Sequence, residues 1–264
     1  MVQSLLMWHH VLDLNAFYGT RLGQLARHLI RRRIRELWRD VSGRRVLGMG
    51  YAIPYLRPFA TEAERLLVLM PAQQGAVPWP HEGENLVALT EEAEIPLPDN
   101  SMDLVLLVHA IECSEHLRAM LREVWRVLVG GGRILIVAPN RRGVWSWMER
   151  TPFGNGHPYS QGQLARLLRE CLFAPGRSLN ALYLPPTSSR VMLRAANGWE
   201  RLGQRWGRPF GGVVLVEAEK EVYAGSPVGA GRRRTLVYPG LVGGLRTATR
   251  IRQSGRSQLN KKTA

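Results

Sequence analysis

Hydrophobic positions change period more than once along this chain, and each change marks a different kind of element. Leu22, Leu25, Leu29, Ile30, Ile34 and Leu37 recur at helical spacing, with Arg31, Arg32, Arg33 and Arg35 falling largely between them. That pattern predicts an amphipathic helix over Leu12–Trp38. Apolar runs of strand length follow at Arg45–Met49, Leu66–Met70, Leu86–Leu89, Asp103–Val108 and Arg133–Ala138. Between the last two, Leu117, Leu121, Val124 and Leu128 define a helix over Glu115–Leu128, which Gly130-Gly131-Gly132 is expected to stop. The second half predicts a helix over Gln161–Cys171 capped by Ser160, and a strand at Asn180–Leu184 ended by Pro185-Pro186. A helix over Ser188–Trp206 and a strand at Val213–Tyr223 complete the series. Pro71–Pro80 carries three prolines and cannot form a crossover helix. Seven strands separated by crossovers predict an α/β fold: a doubly wound, mostly parallel sheet whose ligand lies at the C-terminal strand ends. The last two strands are expected to close that sheet as a hairpin-like pair.

Charge changes this picture at its two ends. The net charge of the 264-residue chain is +15. Arg21–Asp40 holds seven arginines against Glu36 and Asp40, and Arg232–Ala264 holds seven arginines and two lysines with no acid. The body between is almost neutral, so any polyanion-binding signal belongs to the ends. Three segments are therefore expected: an amphipathic helical segment over 1–40, an α/β domain over 41–225, and a basic, disordered tail over 226–264. No apolar run approaches the ~20 residues of a membrane span. Met1–Asn15 lacks a basic start and a small-residue cleavage site, and His9, His10 and Asp13 interrupt it, so no secretory signal is expected. Cys113 and Cys171 are too few for a disulfide framework, which suits a reducing cytoplasm. The basic ends leave three readings open: ordinary solvated surface, an anionic membrane surface met peripherally, and a nucleic acid.

Two motifs carry candidate chemistry. Val46-Leu47-Gly48-Met49-Gly50-Tyr51-Ala52-Ile53-Pro54 is a strand turning into a small-residue loop, where backbone can approach a ligand. The second runs Ile95-Pro96-Leu97-Pro98-Asp99-Asn100-Ser101-Met102-Asp103-Leu104-Val105 and resumes as Leu121-Arg122-Glu123-Val124-Trp125-Arg126-Val127-Leu128 ahead of the glycine run. This block resembles the type 11 branch of the class I S-adenosylmethionine-dependent methyltransferases, over about Arg44–Asn140 well and up to Tyr223 loosely. The resemblance implies a Rossmann-like methyltransferase fold, S-adenosylmethionine as cofactor and methyl transfer as the activity. It maps Gly50, with Tyr51, Ala52 and Pro54, onto the cofactor loop, and Glu91 with Glu92 onto the acid that reaches the adenine amino group. His109–Glu112 matches the segment lining the methyl-donor pocket.

Two positions depart from the family. Gly48 stands where an acid is usual, and Met70 stands where an acid binds the ribose hydroxyls. The departures leave two readings: methyl transfer retained, or a catalytically lapsed relative serving as a binding or regulatory module. Methyl transfer asks mainly for alignment and exclusion of water, with a base only for a protonated acceptor. Base candidates are His109, Glu112, His157 and Tyr159, the last two in the turn-rich loop Thr151–Ser160. Asn140, Arg141 and Arg142 follow the fifth strand, where an anionic substrate could be met. The acceptor expected is a small or lipid-like molecule. A nucleic-acid methyltransferase is the further alternative, opposed by the near-neutral body and by the lack of an Asn/Asp-Pro-Pro-Tyr/Phe-type motif. A bulky residue at Gly50 is expected to abolish cofactor binding while sparing the fold.

Overall fold

Alternation within the strands assigns each side chain to one of two faces, and the computed structural model, which describes residues 8–222 apart from 188 and 207, shows both faces covered. The strands are β1 (Arg45–Gly50), β2 (Arg65–Pro71), β3 (Val87–Thr90), β4 (Met102–Val108), β5 (Leu128–Pro139), β6 (Phe173–Ala181) and β7 (Val213–Lys220). They form one sheet in the order β3-β2-β1-β4-β5-β7-β6. β1 to β5 are parallel, while β7 runs antiparallel between β5 and β6. The chain order reverses between β1 and β4, so the C-terminal ends of those two strands flank the crevice where such sheets bind ligands.

Val46, Leu104, Leu106, Leu135 and Val137 face one core. Helices α1 (Val11–Gly19), α2 (Arg21–Leu37) and the short α3 (Ile53–Leu56) cover it, α2 burying Ala26, Leu29, Ile30, Ile34 and Leu37. Leu47, Met49, Val105, Leu107, Ile134 and Ile136 face the other core, under α4 (Leu117–Val127) and α5 (Gln161–Glu170). The N-terminal helices thus share the core of the sheet instead of standing apart from it.

Four elements differ from the sequence expectation for local reasons. The single helix over Leu12–Trp38 is two, because Thr20 is extended (ψ 161°) and its hydroxyl accepts from Gly23 N–H, opening α2. Helix α4 ends at Val127, where Leu128 turns extended, and the three glycines lie inside β5. The strand expected at Asn180–Leu184 lies earlier, at Phe173–Ala181, because its register against β7 ends at Ala181↔Val213 and Leu182 then turns the chain at φ 63°. The helix expected over Ser188–Trp206 divides into α6 (Arg190–Arg194) and α7 (Ala196–Trp206). Ser160 caps α5 as expected, in a capping box with Gln163, and residues 72–86 form no helix. The basic tail lies outside the described residues.

Candidate functional site

The family-like block between Ile95 and Asp103 is held by α4, and its residues serve the fold. Arg126 donates to the carbonyls of Ile95 and Leu97 and to the Asp99 and Glu123 carboxylates, while Glu123 accepts from Ile95 N–H. Asp103 accepts from the backbone and side chain of Arg45 at 2.9 Å, clamping the N-terminal ends of β1 and β4. Burial raises the Asp103 carboxyl, and the bonds and field of Arg45, aided by Arg44, outweigh it and hold the group below its ordinary value. This signature therefore reports architecture more than chemistry.

The chemistry gathers at the other end of the strands. His109 leaves β4 in the left-handed region (φ 49°) and is fully buried. Its Nδ1 lies 3.2 Å from Glu112 Oε1 and its Nε2 lies 2.8 Å from the Tyr18 hydroxyl. With Nδ1–H donating to Glu112, Nε2 is the acceptor for Tyr18, which in turn sits 2.7 Å from the Tyr55 hydroxyl. Burial, then the neighbouring Tyr55, pushes the Tyr18 hydroxyl well up, so it is held protonated. Phe153 packs against the imidazole at 4.9 Å between ring centres. Gln74, itself fully buried, donates to the His109 carbonyl. Gln74 Oε1 and Glu112 Oε2 have no hydrogen-bond partner, so two buried acceptors are left unpaired around one histidine.

The chain's own N-terminus covers this floor. Trp8 is buried and donates its indole N–H to Glu92 Oε1 at 2.7 Å, and Ser114 and the backbone of His116 take Oε2. Val11 N–H donates to the Gln74 carbonyl. His9 donates from Nε2 to the Pro152 carbonyl at 3.1 Å, and burial, then the field of His109, lowers its ring below the ordinary histidine value. Tyr18 stacks on Tyr51, whose hydroxyl burial raises to about 12.

Several of the sequence candidates lie close to this arrangement and several do not. Gly50 (φ 70°) and Ala52 flank Tyr51, on which Tyr18 stacks, yet a Cβ on Gly50 would run into the carbonyls of Val108 and His109. Neighbouring backbone crowds this position, so a bulky residue there is expected to strain the fold as well as the loop. Gly48 leaves room for the Leu56 side chain, and Met70 is fully buried in the core under α2. Glu91 is exposed and Glu92 points inward. His157 gives its backbone N–H to the Glu112 carbonyl while its ring is exposed, and Tyr159, tied by its backbone to Pro139 and Arg141, points its hydroxyl at the Ile111 carbonyl at a long 3.4 Å. Asn140 ties β5 to the carbonyls of Pro209 and Gly211, and Arg141 and Arg142 are exposed. Cys113 is buried, which pushes its thiol up. Sequence reasoning missed Trp8, Tyr18, Tyr55 and Gln74. The one available signal was the run Trp8-His9-His10, polar tips set in an apolar stretch.

Residues 70–136 match the family model described as Methyltransferase domain. The fold matches that of an S-adenosylmethionine-dependent methyltransferase from Thermotoga maritima at a TM-score of 0.58 and 16% identity, covering 81% of this chain and 100% of that one. The methyltransferase found with the Trm112 activator of Haloferax volcanii gives 0.57 at 14% identity over 80% and 98%. A further one from Archaeoglobus fulgidus gives 0.54 at 19% over 79% and 98%. The fold is that of the class I methyltransferases. No curated protein matches the chain.

The methyltransferase likeness implies S-adenosylmethionine as cofactor, and the cleft as folded here does not fit it. Both oxygens of Glu92 are engaged within the chain, Met70 offers no acceptor for hydroxyls, and Tyr18 lies over the Gly50 loop. Room for the cofactor requires Trp8–Tyr18 to move. Among the described residues no helix is long and apolar enough to cross a membrane.

Proposed function

We propose that the chain is an S-adenosylmethionine-dependent methyltransferase for a small-molecule or lipid-like acceptor, with its cleft closed by its own N-terminal segment. The Tyr18–His109–Glu112 network carries this reading. A buried carboxylate with one oxygen unpartnered costs stability, and a fold retained only as a scaffold would be improved by an apolar residue at Glu112. Unpaired acceptors beside a left-handed histidine at a strand end suit a site kept for a ligand's donors. Withdrawal of Tyr18 would open His109 Nε2 to the cleft, oriented by Glu112 to take a proton from an acceptor.

Specific observations favour a second reading, a methyltransferase fold serving as a binding or regulatory protein. They are the apolar Met70 and the indole of Trp8 seated on Glu92. Calorimetric titration of S-adenosylhomocysteine into the full chain and into Trp8→Ala separates the two. Weak binding to the parent and roughly tenfold tighter binding to the variant is expected, since a lost competitor for a charged acceptor amounts to about 1.5–3 kcal/mol. Absence of binding in both would discard the enzyme reading in favour of the second.

A further inference from the structure

The arginines of α2 are distributed unevenly with respect to acids. Arg33 pairs with Glu36, and Arg35 pairs with Glu62 while its guanidinium lies 5.0 Å from the Phe59 ring centre. Arg27 and Arg31, one turn apart on the same helix, have no carboxylate within ion-pair distance among the described residues, and neither has Arg57. Like charges four residues apart work against a helix, so this row has a cost that no acid in the described fold offsets.

The three arginines line one hollow of about 780 Å³ beside the Gly50 loop. Arg27 and Arg31 are half-buried there, which reduces the screening that an exposed arginine would suffer. Gln24 and the Tyr51–Asn15 pair supply neutral polar groups, while Trp79 and Pro54 supply an apolar wall. Glu82 lies at the same hollow without pairing with any of the three. Arg31 and Arg57 also line an adjoining hollow of about 600 Å³ with Arg32, Arg35 and Arg39. Positive charge thus converges where the two hollows meet. A volume of this size takes a small molecule, and guanidinium forks match phosphate oxygens two at a time.

We propose that this hollow binds a phosphate monoester or diphosphate group, gripped by Arg27, Arg31 and Arg57, with the apolar remainder of the ligand against Trp79 and Pro54. The group can belong to a free metabolite or to a lipid headgroup, and the chemistry of recognition is the same. The hollow borders the cleft through Tyr18, Tyr51 and Pro54 but is lined by neither Glu92 nor His109, and phosphate binding there does not depend on methyl transfer.

The test titrates the full chain with inorganic pyrophosphate at about 0.15 M ionic strength, with sulfate as the matched control. Saturable one-to-one binding is expected, roughly tenfold weaker in Arg27→Gln and in Arg57→Gln and unchanged in Arg169→Gln, an exposed control on α5. Arg27→Lys, which keeps charge but not the fork, should fall between. Melting temperatures of all variants check that the fold persists. If sulfate binds as well as pyrophosphate, or if Arg27→Gln and Arg57→Gln bind like the parent, the site is wrong. Sedimentation with phosphatidic acid vesicles, against phosphatidylcholine alone, then separates the sources. Vesicle binding lost in those two variants assigns a lipid headgroup, and pyrophosphate binding without variant-sensitive vesicle binding assigns a soluble phosphate ester.

Discussion

A valine at Gly50 meets two separate obstacles. Its backbone at φ 70° costs an L-residue about 1–2 kcal/mol, and its Cβ has no space beside the carbonyls of Val108 and His109. Gly50→Val should therefore lower stability by about 3 kcal/mol and the melting temperature by roughly 10 °C, measurable by calorimetry, and should not act as a pure binding variant. Asp103 allows a pH prediction. Its carboxyl is lowered in the folded state, so the stability it contributes is present above the unfolded value of about 3.9 and is lost as pH falls through the folded one. Asp103→Asn should be less stable at neutral pH by about 1.5–3 kcal/mol. Its stability should also fall less steeply than the parent's below about pH 4, and parallel acid limbs would show that Asp103 plays no such part. Residues such as Asp103 and Arg126 were legible because local spacing expresses their roles. His109 was legible as a strand-end histidine, but Tyr18 and Trp8 were not, since their partners lie 91 and 84 positions away.

At the scale of elements, periodicity located the five parallel strands and α4 because each has an apolar face or run that burial demands. It failed at β6, an edge strand whose residues are mostly half-exposed and carry no strong alternation. It also failed at the α1–α2 corner, where apolar spacing continues through a break made by a cap. Gly23 shows what that corner requires: a Cβ there would collide with the Phe17 carbonyl. Within an ordinary helix, glycine to alanine stabilises by about 0.5–1 kcal/mol. Gly23→Ala should do the reverse, shifting the urea midpoint downward, because α1 and α2 would have to part. Since α1 holds Tyr18 over the cleft, the same variant should bind S-adenosylhomocysteine more tightly if it remains folded. A stabilised Gly23→Ala protein would show that the corner yields at no cost.

For the molecule as a whole, the question is whether charge at the chain's ends attracts polyanions independently of the folded body. The described core is built from residues between Trp8 and Lys220, and both hydrophobic clusters close within that span. Residues 232–264 add seven arginines and two lysines, nine of the fifteen net positive charges, with no acid and no periodic apolar pattern. Ending the chain at Ala230 should therefore move the melting temperature by no more than about 1–2 °C, because a segment with no periodic apolar pattern offers little to bury. The same truncation should change salt dependence strongly. Each phosphate neutralised on duplex DNA contributes about 0.9 to the slope of log affinity against log salt, so losing five or more contacts should flatten that slope by at least about 4. Pyrophosphate binding in the hollow of Arg27, Arg31 and Arg57 should survive unchanged, since those groups belong to the folded body. Measuring DNA binding and pyrophosphate binding on both chain lengths separates the two sources of positive charge. If truncation weakens pyrophosphate as much as it weakens DNA, the phosphate affinity resides in the tail and the hollow has no part in it.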